Sequence, residues 1–241
     1  MKARANAMEL IGAAMVASLI LVALLAPLLA PHDPTRAVAS SFGDPWSPSW
    51  KFPLGTDALG RDVLSRIIYG AQVSLEVGIT AMILTMTIGV AIGLSAGFFG
   101  GKVDFILMRF TDVMLTLPAL LLAMALVSVL GPSIRSILIV IGIVSWTSIA
   151  RVVRAEALSM SQRDFVMAAL GTSGTLLLDA ALSFLGLGVP PPTPSWGRMI
   201  EEATIYFRVA PWLATFPGLA IFYAVLGFNL LGYGVLRRRA R

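Results

Sequence analysis

No cysteine occurs in the 241-residue chain, which excludes a disulfide framework, a thiolate metal site and a cysteine nucleophile, and leaves the redox compartment unreadable. Charge is scarce as well. Asp, Glu, Lys and Arg make up 13% of the residues, against roughly one quarter in an ordinary soluble domain. The one histidine, His32, stands in "PHDP"; with only Asp33 beside it no metal site can be assembled, and a solvated side chain is expected. A G-x-x-x-x-G-K-S/T phosphate loop is missing, so this chain should not hydrolyse ATP. Clustered His, Asp or Glu at catalytic spacing is missing too, which argues against a membrane-embedded enzyme.

What the sequence has instead is apolar length: 57% of residues are hydrophobic. A membrane helix needs about 20 mainly apolar residues, and six stretches offer them: Met8–Ala30, Val77–Phe99, Phe110–Leu130, Ser133–Ala150, Leu170–Val189 and Trp212–Leu236. The first follows Lys2 and Arg4 but is too long for a signal-peptide core of about 7–15 residues. Runs of this length are not the alternating ten-residue segments of a membrane barrel. The expected fold class is therefore all-α, a polytopic membrane protein with six transmembrane helices in a lipid bilayer. The net charge of +5 comes from short Lys and Arg clusters beside the spans, which suits orientation in the bilayer better than nucleic-acid binding. Placing most of these cations inside puts both termini in the cytoplasm.

Within this frame several features carry expectations. In "FPLGTDALGRDVLSRIIYGAQVSL", Thr56 or Asp57 is expected to cap a helix with Val63, Leu64, Ile67 and Ile68 on one side and Arg61, Asp62, Ser65 and Arg66 on the other. Such a helix would lie along the outer membrane surface, as an anchor or as a contact for an external partner. Gly89, Gly93 and Gly97 form a small-residue stripe, expected to serve packing within the chain ahead of a subunit interface. Pro118 is expected to kink span three. Arg109 and Asp112, one turn apart, are expected to pair. Asp179 sits inside span five, where a carboxylate is costly; a polar contact at an interface or pathway and a local backbone or arginine partner are both open. "VPPPTPSW", from Val189, should form a stiff extended turn, followed by an amphipathic segment with aromatic residues at interface depth.

The residues also carry a resemblance. "LGTDALGRDVLSRIIYGAQVSL", "AGFFGGKVD", "RFTDVMLTLPALLLA", "SWTSIARVVRAEALSMSQRDFVMAA" and "DAALSFLGLGVPPPTPSWGRMI" resemble, in this order, the motifs of the C-type permease subunit of bacterial dipeptide, oligopeptide and nickel ABC importers. "FNLLGYG" resembles the closing motif, with Tyr233 where aspartate is usual. The resemblance implies a type I ABC importer permease fold in the bacterial inner membrane, working with a sister permease, two cytoplasmic ATPase subunits that bind ATP and Mg, and an external substrate-binding protein; no cofactor would reside in this chain. It divides the chain into a cytoplasmic tail (1–7), a first span (8–30), an external loop with a surface helix (31–70), a permease core of five spans (71–236) and a basic cytoplasmic tail (237–241).

The family's ATPase-contacting loop would run over 151–169, through Arg151, Arg154, Glu156, Arg163, Asp164, Phe165, Met167, Ala168 and Ala169. Asp57, Arg61, Asp62, Arg66, Glu201 and Glu202 would face the binding protein, and Asp179 stands where relatives commonly have glutamate. After Ala169 the sequence departs from the family: about 30 residues, enough for a short coupling helix plus the start of a span, are missing. Either that segment exists in the natural protein, the favoured reading, or the protein does without its coupling helix. The rival function is a secondary, ion-coupled transporter, which would want several ionisable groups within its spans or an inverted repeat; only Asp179 lies well inside one.

Overall fold

The computed structural model describes residues 2–38, 46–159 and 164–239, with side chains described outside 2–6, 156, 159, 164–170 and 234–239. Among the described residues the chain is helical, with a single isolated bridge between Thr56 and Asp62 in place of any strand. In chain order the helices are α1 (Lys2–Leu24), α2 (Ala26–Leu29), α3 (Val63–Phe99), α4 (Gly101–Thr116), α5 (Ala119–Leu130), α6 (Ile134–Ser159), α7 (Asp164–Phe184), α8 (Trp196–Ala203) and α9 (Trp212–Arg239), with a 3-10 turn over Thr204–Tyr206.

Among the described residues four helices, α1, α3, α6 and α9, are long and apolar enough to cross a membrane, and α4 with α5, bent by 88° at their junction, makes a fifth where the pair counts as one broken span. α7 stands where the remaining expected span lies, but it ends at Phe184 rather than Val189. Other boundaries shift as well. α3 is one helix of 37 residues, about 55 Å long, so the amphipathic stretch is not a separate surface helix but the first turns of a span. Asp62, not Thr56 or Asp57, is its N-cap, accepting from the Ser65 amide at 3.0 Å and the Ser65 hydroxyl at 2.6 Å. α6 runs nine residues beyond Ala150, through Arg151 and Arg154 to Ser159. Pro118 does more than kink: the helix stops at Thr116 and restarts at Ala119, because proline offers no N–H and disfavours helix in the residue before it.

Lipid gives packed helices no hydrophobic advantage over separated ones, so close backbone approach must supply van der Waals contact instead. The glycine stripe does this within the chain. A Cβ on Gly93 would come within 2.6 Å of the Ala150 carbonyl, one on Gly89 within 2.7 Å of Ile149 Cβ, and one on Gly97 within 2.6 Å of Ala157 Cβ. α3 and α6 are thereby locked side by side. α1 and α9 meet likewise where Gly12 lies against the Leu231 backbone, with Ser18 and Tyr223 hydroxyls 2.8 Å apart.

Two apolar clusters result. One joins α1 and α9 to the start of α3 and to α8, around Leu19, Leu75, Trp196 and Phe228. The other joins the middle of α3 to α5, α6 and α7, around Val77, Val127, Ile141 and Leu182. Leu28, Phe98 and Val129 are among the large apolar side chains left exposed, as a bilayer-facing surface requires.

Candidate functional site

The two ends of α3 carry different chemistry. At its first turns a cluster of ions closes over the chain. Asp57 Oδ1 accepts from the amides of Leu59 and Arg61, both at 2.9 Å, which shapes the turn. Its Oδ2 receives Arg61 Nε at 2.7 Å and also Arg66 Nη1. Glu202, from α8, completes the set: its Oε2 receives Arg61 Nη2 at 2.9 Å and Arg66 Nη1 at 2.7 Å, and its Oε1 receives Arg198 Nε at 3.3 Å. Burial raises the Glu202 carboxyl, but Arg66, Arg61 and Arg198 outweigh it and hold the group below its ordinary value.

Sequence reasoning set Arg61, Asp62 and Arg66 on an exposed polar side, and the structure does the reverse. Arg66 is 2% exposed, and Arg61, Asp57 and Asp62 are buried as well. The reason is that α8 folds back over them: Trp196 stacks into the space left by Gly70 and donates its indole N–H to the Ile67 carbonyl at 3.1 Å. Of the six residues expected to face a binding protein, Glu201 and Glu202 alone are partly exposed. Between the cluster and the turn after α8 lies a cleft of about 360 Å³, lined by Leu59, Met199, Ile205, Tyr206 and the ions themselves. His32, expected to be solvated, is half-buried beside this region, with Nδ1 3.5 Å from Asp62 Oδ2 and its ring against Phe52.

At the other end of α3, α6 carries Arg151 and Arg154 between its contacts with Gly93 and Gly97. Arg154 grips Asp104 of α4 through both prongs, Nη2 to Oδ2 at 2.6 Å and Nε to Oδ1. Arg151 Nη2 donates to Asp112 Oδ1 at 2.5 Å. The expected Arg109–Asp112 pair is therefore not formed. Asp112 faces α6, and Arg109 lies over the Phe105 ring at 5.6 Å. Glu156 belongs to the last turns of α6 and Asp164, Phe165, Met167, Ala168 and Ala169 to the first turns of α7. The described residues of 151–169 are helical, 151–159 in α6 and 164–169 in α7. Arg163 lies outside the described residues.

Midway along α3 a cavity of about 630 Å³ opens between α3, the α4–α5 break, α6 and α7. Among the described residues its wall carries no ionisable side chain: hydroxyls come from Thr85, Ser145, Thr147, Ser148 and Thr175, and thioethers from Met82 and Met114. No sequence pattern points to it, because these residues lie on four elements and each is ordinary within its own span. Asp179 is elsewhere. It is 2% exposed, its Oδ1 has no hydrogen-bond partner among the described residues, and it faces a closed niche formed with Ser74, Trp196 and Gly197.

Two family profiles match the chain: the binding-protein-dependent transport system inner membrane component over residues 89–173, and the N-terminal transmembrane domain of oligopeptide transport permease C over residues 2–45. Among similar proteins, a dipeptide transport system permease of Alkalihalophilus pseudofirmus is 35% identical over 95% of this chain and 84% of its own. A di/tripeptide transport system permease of Pseudomonas aeruginosa is 40% identical over 90% and 82%. A glutathione transport system permease of Escherichia coli is 39% identical over 96% and 86%. The first alignment spans 263 positions, whereas 95% of 241 residues is about 229. About 34 positions of that relative therefore stand opposite gaps in this chain.

Proposed function

The chain belongs to the C-type permease subunits of binding-protein-dependent peptide ABC importers, and we propose that peptides are the solute it helps across the cytoplasmic membrane. The observation that carries this is the uncharged cavity at mid-span. Hydroxyls and thioethers offer neutral contacts to a peptide backbone and do not fix the charge of its side chains. Glutathione, named for one relative, is itself a small peptide; nickel has no such support here.

The working mechanism is alternating access. ATP binding draws two cytoplasmic ATPases together and biases the spans between inward-open and outward-open states. This chain supplies half of the passage and a sister permease the other half; the chemistry of ATP and Mg belongs to the ATPases, and this subunit is a pore component without catalysis of its own. Both termini lie in the cytoplasm in this reading. The helix ends over 151–169 face an ATPase, and α8 with the turn after it faces the binding protein. The buried ions Asp57, Arg61, Asp62 and Arg66 then act as the frame beneath that docking face, with Glu201 and Glu202 at its edge. Asp179 holds the α3–α7–α8 junction, since the niche it occupies is closed and separate from the cavity.

The gap of about 34 positions is placed after Ala169, and the end of the matched core profile at residue 173 supports that placement. The test is uptake. The chain, reconstituted in liposomes with its sister permease, ATPases and binding protein, should accumulate a labelled dipeptide only with ATP. Uptake driven by a proton gradient without ATP would support the ion-coupled rival instead.

A further inference from the structure

α4 is attached to the rest of the molecule in an unusual way. Of its 16 residues only Thr111 is buried, while Phe105, Ile106 and Val113 point away from the molecule. Buried apolar surface is a minor part of what holds it, and its side-chain contacts to α6 include the two-pronged Asp104–Arg154 pair, the Asp112–Arg151 pair, and the Phe110 ring stacked on Trp146 at 5.9 Å and 17°. α6 in turn is locked to α3 at Gly89, Gly93 and Gly97, so those two helices can only move together. Beyond α4 the chain breaks at Leu117–Pro118, and Met114, Leu115, Leu117, Pro118, Ala119 and Leu122 form one wall of the mid-span cavity.

We propose that Asp104 and Asp112 are positioning residues for energy coupling: they tie α4 to the α6 end that bears Arg151 and Arg154, so that displacement of that end swings the cavity wall at Leu117–Pro118. This rests on the reading of 151–169 as the ATPase contact. The physical case is a lever with a fixed grip and a hinge. The grip is ionic and directional, since a two-pronged arginine–carboxylate pair resists both sliding and rotation. The hinge is the one place in this broken span where helical hydrogen bonding lapses. The outer pair adds little to stability: Arg151 and Asp112 are 52% and 44% exposed, where solvent screens an ion pair, while Arg154 and Asp104 are half-buried. Two carboxylates spaced along a helix that packs little are better explained by transmitted motion than by anchoring.

The experiment uses the complete importer in liposomes, with the double variant Asp104→Asn plus Asp112→Asn. Expected is ATP hydrolysis, stimulated by loaded binding protein, within about twofold of the unmodified importer, while peptide uptake falls about tenfold, so that the loss lies in peptides moved per ATP. Asp104→Glu, which keeps the charge that Arg154 grips, should retain uptake that Asp104→Asn loses. Uptake and hydrolysis falling in proportion, or uptake unchanged, would overturn the proposal. Spin labels at Lys102 and Val152 give an independent reading. Their separation should stay constant between nucleotide-free and vanadate-trapped states of the unmodified importer, and a change would show that α4 does not follow α6. If the unmodified importer shows no ATP-dependent uptake, the functional reading fails first, and the label distances then decide the tie by themselves.

Discussion

Arg66 on the first turn of α3 and Glu202 on α8, 136 positions apart in the chain, meet at 2.7 Å beneath the surface. The pair, shared with Asp57 and Arg61, fastens the segment after α7 onto the start of the longest helix. Losing one partner of a buried pair leaves the other uncompensated. Arg66→Met is therefore expected to lower stability by about 3–5 kcal/mol, measured as unfolding in detergent, and a loss below about 1 kcal/mol would mean that the cluster is solvated.

The same cluster should make the fold acid-sensitive in a defined window. A carboxyl whose folded pKa is depressed contributes stability above its unfolded value, and that contribution disappears as pH falls through the lower folded value. Glu202 is depressed from 4.5. The stability difference between the unmodified chain and Glu202→Gln should be constant above about pH 5 and shrink below it; a difference that grows on acidification would contradict the assignment.

Gly93→Ala places a methyl group 2.6 Å from the Ala150 carbonyl, and α3 must separate from α6 to admit it. A loss of about 1–3 kcal/mol is expected. Gly174→Ala on α7 meets nothing within 4 Å and should be neutral or stabilising by up to about 1 kcal/mol. Unfolding of both variants in the same detergent provides the comparison.

Ser148 is exposed into the mid-span cavity of about 630 Å³, so a large side chain can enter without disturbing the core. Ser148→Trp is expected to reduce peptide uptake about tenfold or more while the amount of protein in the membrane stays level. Full uptake would place the passage elsewhere.

The gap has a mass. At the chain's mean residue mass, 25.6 kDa over 241 residues, about 34 positions correspond to about 3.6 kDa. The intact natural protein is expected to exceed 25.6 kDa by that amount. A mass of 25.6 kDa would mean that α6 and α7 meet their ATPase without the family's coupling segment, and ATP coupling itself would then be in question.

Much of the architecture follows from local rules that any solvent-excluded helix obeys. Apolar runs of about 20 residues have to be helices in lipid, because only a helix satisfies its own backbone. Pro118 has to interrupt one, and glycines four apart have to invite a neighbouring backbone. The spans, a distortion at Pro118 and the stripe were therefore legible in the residues, although a full break and the helix ends were not: α3 starts at Val63 and α6 continues to Ser159 because capping and charge pairing, not hydropathy, set where a helix stops.

Side-chain partners were not legible at all. Arg109 and Asp112 look like a pair on one helix, yet Asp112 goes to Arg151, 39 positions away; Arg61 and Arg66 read as a solvated face, yet α8 covers them. By itself the sequence determined the class of molecule, its membrane setting and its family. Only the tertiary structure decided which charges are buried, which helices pack backbone to backbone and where a cavity opens, because each depends on groups that the chain brings together from opposite ends of long spans.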